Sequence, residues 1–328
     1  MKIVFKGSDS HVSNDSISEF VNVLFDLKGI RNVVAKLTLM NKMYLIMFRF
    51  FRKSGINIIL GSKNQLKADP YKNNKHLFVI MMGLDEYKYR PFGILNKNYK
   101  SIYLFDAWPK DYLKIQDFCA RYKINYLYVT ASQSASRLQN KLDKTKVRWI
   151  PEGVDVSQYK YESYTSKTID VLALGRKYDV YHQLIDVGLA EKGYIYRYEK
   201  QKGELVFPTR EEFIQGLANS KISICVPSNI THPERSGDVE TMTIRYLQSM
   251  ASKCLIVGHA PAEMIELFGY NPVIEIDMTN AVSQLDNILN NYDHYIPLIE
   301  KNYQAVLENH TWLHRWNQIV NIWSNSSL

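Results

Sequence analysis

The chain has 328 residues, of which 46% are apolar, more than one typical domain needs and comfortable for two. With 23% charged residues and no long low-complexity tract, intrinsic disorder is not expected. Its three cysteines, Cys119, Cys225 and Cys254, lie far apart without CxxC spacing, which argues against a disulfide framework or a zinc site and for a reducing cytoplasm.

The net charge of +8 is unevenly divided: residues 1–150 hold 26 Lys/Arg against 11 Asp/Glu, and residues 151–328 hold 15 against 22. The halves therefore carry +15 and −7. That asymmetry points to two domains with different partners, the first facing something anionic. A plain solubility charge is the competing reading. The opening "MKIVFKGSDSHVSND" soon turns polar and does not read as a signal peptide. No run reaches the ~18 apolar residues of a membrane span.

In chain order, "KIVFKG" reads as a short strand into a glycine turn. "SISEFVNVLFDLKG" follows with Phe20, Val21, Leu24, Phe25 and Leu27 at helical spacing, and Ser16 with Glu19 forms a capping-box signature. Residues 33–55, dense in Leu, Met and Phe, carry Lys36, Lys42, Arg49, Arg52 and Lys53. They read as one or two helices able to lie on an anionic bilayer, or as core helices with a basic outer face. "INIILG", "HLFVIMMG", "SIYLFD" and "INYLYVTAS" are short apolar runs separated by polar or helical segments, the rhythm of a buried parallel sheet. "VRWIPEGVD" ends the first half, and the polar stretch 157–168 reads as a linker.

A second α/β series follows. "IDVLALGRKYD" is strand and turn, "GYIYRYEK" a strand, "REEFIQGLANS" a helix and "KISICVPS" a strand. "GDVETMTIRYLQSMASK" is expected to be one helix leading into the strand "CLIVG". "PAEMIELFG" is a helix with Pro261 at its start, "NPVIEID" a strand, and "HTWLHRWNQIVNIW" a final helix. The whole reads as α/β, with doubly wound domains over 1–150 and 151–310 and a closing helix over 311–328. In such sheets ligands bind beyond the carboxyl ends of the strands, and here in the cleft between domains.

No GxGxxG follows the first strand and no GxxxxGK[ST] occurs, so neither a dinucleotide fingerprint nor a P-loop is present. HExxH and GxSxG are also missing. The segment from Gly237 to Gly258 is more informative. On a helix, Glu240, Ile244, Leu247 and Met250 share one side, with Gln248 near the same stripe. The preceding "HPERSGD" ends in Ser236 and Gly237, whose loop can present backbone N–H groups to an anion at a helix N-terminus. Arg245 adds a guanidinium fork, and Glu240 and Gln248 can hold sugar hydroxyls. A capped amphipathic helix with a surface arginine is the competing reading.

The stretch "ETMTIRYLQSMASKCLIVG" resembles the E-x7-E-A-M-A-x-G-x-P-V-V segment of retaining GT-B glycosyltransferases of the family 4 type and their CgeB-like relatives. "VRWIPEGVD" is similar to their I-P-N-G-V-D crossover, "VLALGRKYD" to the first strand and phosphate turn of the donor domain, and "LVFPTREEFIQGLANSKISICVPS" to the segment ending in P-S. The resemblance implies two Rossmann-like domains facing a cleft, with the C-terminal helix crossing back to the first. It places Glu240 near the transferred sugar and Gln248 at the ribose. Gly175, Arg176 and Lys177 fall at the diphosphate, and Val206 and Phe207 at the base. Two departures stand out: the second acid is Gln248, and the Gly-Phe-Gly after the first is Thr241-Met242-Thr243. Phosphate can instead meet Ser236, Gly237, Thr241, Thr243 and Arg245. No Asp-x-Asp occurs, so transfer is expected to need no metal or other cofactor.

On the acceptor side, "YLFDAWPKDY" follows an apolar strand, so Asp106 and Trp108 are expected in the cleft. The aspartate can orient or deprotonate a hydroxyl, and the indole face suits a sugar ring. A helix-capping aspartate and a core tryptophan are the structural alternative. Asp9 and His11 sit in the first strand-to-helix loop, with His11 a candidate base, though a solvent-exposed loop histidine explains it as well. Ser132 reads as a helix cap.

The expected activity is sugar transfer, with retention, from a nucleotide-sugar donor to a saccharide or lipid-linked acceptor in bacterial surface-polysaccharide synthesis. The location expected is the cytoplasm, with peripheral contact at the inner face of the cell membrane. Nucleic acid is not an expected partner, because no reading motif is present. A nucleotide-sugar epimerase of the same fold, or a non-catalytic homologue binding polysaccharide or nucleic acid, are the rival readings.

Overall fold

The computed structural model describes residues 2–5, 15–27, 76–84, 99–175, 177–201 and 203–325. The basic apolar segment 33–55 and the run "INIILG" lie outside them. The first sheet holds β1 (Lys2–Phe5), β2 (His76–Met82), β3 (Tyr99–Phe105), β4 (Tyr126–Val129) and β5 (Lys146–Trp149), all parallel and, as described, in chain order. Its strands are apolar on both sides because both faces are covered. Leu77, Val79, Ile102, Leu104, Leu127 and Val129 pack under α2 (Tyr112–Tyr122) and α3 (Ser132–Gln139). Phe78, Ile80, Tyr103, Phe105 and Tyr128 face α1 (Asp15–Asp26) and the last helix, α12 (Trp312–Asn325).

The second sheet runs β10-β9-β8-β6-β7, again parallel: β6 (Ile169–Ala173), β7 (Tyr196–Arg197), β8 (Ser220–Cys225), β9 (Leu255–Gly258) and β10 (Ile274–Glu275). The order reverses at β6, so the carboxyl end of β6 is a switch point where a crevice opens. One face is covered by α4 (Asp179–Glu191) and α10 (Ala281–Asn290). The other carries α5 (Arg210–Ala218), α8 (Ile244–Ala251) and α9 (Ala262–Phe268). Short helices α6 (Ser228–Thr231) and α7 (Pro233–Ser236) follow β8, and α11 (Ile296–Asn309) leads to α12. The two sheets, each flanked by helices, make the fold GT-B.

The final helix crosses back to the first sheet. Trp312, Trp316 and Ile319, at i, i+4, i+7 spacing, are buried there. Trp312 stacks on Phe20 with centroids 4.6 Å apart, and Trp316 meets Phe78 edge-on at 5.6 Å. The outgoing and returning crossovers touch: the Trp312 N–H donates to the Val154 carbonyl at 3.2 Å, and the Val154 N–H to the His310 carbonyl at 3.2 Å. Gly153 makes that approach possible, since a Cβ there would stand 2.8 Å from the Trp312 nitrogen.

Two local expectations are corrected. The helix expected from Gly237 begins only at Ile244, behind Thr243 as N-cap. The residues just before it stay outside the helix, Thr241 and the Met242 N–H both bound by the buried Glu263 carboxylate at 2.7 and 2.8 Å. The Ser16–Glu19 pair is not a capping box: α1 already starts at Asp15. Glu19 instead accepts from the Asp155 N–H at 3.1 Å, from Arg210 at 2.9 Å and from the Tyr159 hydroxyl. It ties the first domain to the second. A capping box does form at α5, where Thr209 and Glu212 satisfy each other's backbone.

Candidate active site

A cavity of about 580 Å³ opens between the two sheets, at the carboxyl ends of their strands. Met82, Phe105, Asp106 and Thr130 reach it from the ends of β2, β3 and β4, and Leu174 and Gly175 from the end of β6. Nine residues singled out from the sequence line it: Asp106, Trp108, Gly175, Val206, Phe207, Thr241, Thr243, Arg245 and Gln248.

On the first domain's wall, Asp106 adopts a left-handed φ of 55°. Its carbonyl accepts the Trp108 N–H at 3.0 Å, closing a tight turn just after β3. Such a φ in a non-glycine residue is strained and is characteristic of functional turns. The Asp106 carboxylate is ion-paired with Arg235 from α7 of the other domain. Trp108 is buried against Ala131 and Val239, and its indole Nε1 has no hydrogen-bond partner. It is thus both a core residue and part of the cavity wall.

On the second domain's wall, Gly175 has φ 72° and turns the chain after β6. The Arg245 guanidinium lies against it, and Nη1 donates to the Leu174 carbonyl at 3.0 Å. A side chain at 175 would collide with this arginine. Arg245 belongs to the first turn of α8, whose N-cap makes no side-chain cap bond. Ile244 at the helix start, Arg245 and Gly175 line the same cavity, a suitable arrangement for an anion. Gln248 follows on the same helix. It is 3% exposed, and its amide makes no hydrogen bond among the described residues. Val206 and Phe207 close the far end, Phe207 resting on Gly216 of α5.

The remaining candidates are elsewhere. Glu240 does not line the cavity: the non-helical segment before α8 carries it beside the start of α9. Its carboxylate takes His259 Nε2 at 2.7 Å and the Ala262 N–H at 3.2 Å. Ser236 is buried, with its hydroxyl on the His232 carbonyl at 3.2 Å. The Gly237 N–H is spent on the Pro233 carbonyl at 2.8 Å, and Gly237 packs against Pro109 of the first domain. That loop therefore joins the domains instead of offering free amides. Lys177 turns to the Glu199 carbonyl at 3.3 Å and lies over the Tyr198 ring. Asp9, His11 and Arg176 lie outside the described residues.

Among the cavity residues that sequence reasoning missed are Arg235 and Glu152. Burial first, and Asp106 second, push the Glu152 carboxyl up to about 8. A signal was available: this glutamate replaces the asparagine of the I-P-N-G-V-D pattern. The domains are closed over the cavity by polar contacts as well. Arg137 grips Asp238 through both nitrogens at 2.7 Å, the Ser132 N–H donates to Glu263 at 2.7 Å, and the Glu240 N–H to Gln133 at 2.9 Å. Among the described residues no cluster of three or more His, Cys, Asp or Glu could hold a metal ion, and no helix is long and apolar enough to cross a membrane.

Residues 170–321 match the family model described as glycosyl transferase-like. No curated protein is significantly similar in sequence. Among solved structures, Anabaena Alr3699/HepE in complex with UDP and glucose superposes with a TM-score of 0.60 at 10% identity, covering 100% of both chains. A glycosyltransferase from Rickettsia africae gives 0.55 at 11% identity, over 99% of this chain and 98% of the other. TarM, from S. aureus, gives 0.54 at 12% identity over 75% of this chain. The chain spans about half the length of TarM, 54% of it. Residues 170–321 thus resemble the glycosyl transferase-like family, and the chain as a whole shares the two-domain GT-B fold of these solved structures.

Proposed function

We propose that the chain transfers a sugar from a nucleotide-sugar donor to a saccharide or lipid-linked acceptor. The observation that carries this reading is the cavity between the domains, with Arg245 laid against the Gly175 turn and the Gln248 amide, without a hydrogen bond among the described residues, one helical turn away. The diphosphate sits at Gly175, Arg245 and the N-terminus of α8, with the Thr243 hydroxyl beside it; Thr241 has its hydroxyl on Glu263 instead. The ribose meets Gln248, and the base lies at Val206 and Phe207. Asp106 orients the acceptor hydroxyl, and Trp108 walls the acceptor's side.

Breaking a sugar–phosphate bond leaves charge on the departing diphosphate. Positive groups fixed before the reaction stabilise that charge without reorganising. Arg245 and Arg235 line the cavity for this role, which supports transfer without a metal. Unchanged turnover in excess EDTA is expected; its abolition refutes that part.

Retention is also proposed, supported by the likeness of residues 240–258 to the E-x7-E segment. Proton NMR of the first-formed anomer tests it, and the inverted anomer refutes it. The +15 charge of residues 1–150 supports a lipid-linked acceptor at the inner face of the membrane, within surface-polysaccharide synthesis. Failure to co-float with anionic vesicles at low salt removes that idea.

A thermal-shift panel of UDP-, GDP-, dTDP- and CMP-sugars tests the central reading. One nucleotide class is expected to raise the melting temperature, and stabilisation by none refutes it. Incubating the stabilising donor alone separates transfer from epimerisation, which would convert it without an acceptor.

A further inference from the structure

Glu152 is a charged cavity residue that the donor reading leaves without a role, and the inference here rests on that reading. Its backbone is held fast. Its carbonyl takes Arg315 Nε at 3.1 Å, and the neighbouring Gly153 is pressed against the Trp312 backbone. The half-buried side chain lines the cavity. The Ser16 side chain and the Ile244 N–H lie beside its carboxyl, while Oε2 is enclosed with no hydrogen-bond partner among the described residues. Ile244 is the first residue of α8, so the carboxyl occupies the helix end at which the diphosphate is expected.

We propose that Glu152 touches the diphosphate of the bound nucleotide as a neutral carboxyl, donating a hydrogen bond to it. An ionised carboxylate at that helix end would repel the ligand; a protonated one adds a donor where the other donors already converge. The enclosed Oε2 agrees, because an unpartnered buried oxygen is far less costly in a neutral acid than in a carboxylate. So do the groups around it. Asp106 and Tyr103 face it from β3 and its turn, Arg245 from α8 and Arg315 from α12, with Arg235 engaged by Asp106. Burial and Asp106 outweigh Arg245 and hold the carboxyl up to about 8, and a diphosphate would raise it further. The proton thus stays on Glu152 at neutral pH before and after binding.

Titration calorimetry of UDP into the full chain from pH 7.5 to 9.5, with GDP and dTDP in parallel, reads this directly. Across this range the ligand's phosphates are already ionised. The wild-type Kd should rise above pH 8, approaching about tenfold per pH unit. Glu152→Gln donates but does not titrate, so its profile should be flat. Glu152→Ala should bind more weakly at pH 7.5 and also be flat, with circular dichroism showing that both variants fold. A flat wild-type profile, an unchanged slope in Glu152→Gln, or loss of binding in a folded Glu152→Gln overturns the proposal while the donor site stands. If none of the three diphosphates binds the wild type at pH 7.5, both readings fall.

Discussion

Replacing Arg245 by alanine separates a donor-binding arginine from one that only buttresses a loop. In the structure its Nη1 donates to the Leu174 carbonyl at 3.0 Å, and the rest of the guanidinium lies along the cavity beside Gly175. A charge-assisted hydrogen bond to phosphate contributes about 1.5–3 kcal/mol net. At about 1.4 kcal/mol per tenfold, Arg245→Ala should weaken the Kd for UDP, or whichever diphosphate binds, by roughly 10- to 150-fold. The structural loss is smaller. Leu174 lines an open cavity, so water replaces the lost donor and the apo protein should lose less than about 1 kcal/mol. Calorimetric titration gives the first quantity and denaturant unfolding the second. Arg245→Lys keeps the charge but not the planar fork, and should fall between the two. Binding by Arg245→Ala within about twofold of wild type, or a stability loss large enough to explain weak binding, would refute the placement of the diphosphate.

Gln248→Ala removes the amide of a residue 3% exposed, which makes no hydrogen bond among the described residues. It should weaken UDP binding by about 3- to 10-fold, one neutral hydrogen bond, and leave pyrophosphate binding unaffected; equal losses for both ligands would move the ribose elsewhere. Trp312→Ala empties the contact between α12 and Phe20 and should destabilise the chain by about 3–5 kcal/mol in denaturant; a loss under about 1 kcal/mol would mean the returning helix is not part of the core. His310 is buried, stacked on Phe268 with centroids 4.3 Å apart, and its Nδ1 accepts from Arg315 at 2.9 Å. Burial first, then Arg315, depress it from 6.5 to about 3. The unfolded ring takes a proton below pH 6.5 and the folded ring does not, so its contribution is full above that pH and is lost as pH falls toward 3. Going from pH 7.5 to 5 should cost about 2 kcal/mol through this group. His310→Gln should be spared that loss, and the same acid sensitivity in both proteins would refute the assignment.

The element types were largely legible because burial imprints a period. The runs around Leu77, Ile102 and Leu127 are continuous and apolar, as strands covered on both faces must be. Trp312, Trp316 and Ile319 mark the face of the returning helix. Glycine and charge also left readable traces: Gly175 does turn the chain at the cavity, and Arg245 does meet it there. Less legible were residues whose partners are remote in sequence. Ser16 and Glu19 look like a local cap, yet Glu19 is bound by Asp155, Tyr159 and Arg210. Glu240 has the spacing of a cavity acid but belongs to His259 and Ala262.

From its residues alone this chain declares two α/β halves, a crossover between them, a closing helix and a glycine turn after the first strand of the second half, because apolar period and local turn chemistry act over a few neighbouring positions. Which acid enters the cavity was decided by the assembled fold. A carboxylate arriving from Glu263 holds Thr241 and Met242 ahead of α8, and Glu240 meets His259 and Ala262 instead of the cavity. Gly153 lets the two crossovers meet, and their contact, with Arg315 on the Glu152 carbonyl, fixes the backbone from which Glu152 reaches the cavity. Side-chain direction outside regular elements depends on such distant contacts, and no local pattern encodes it.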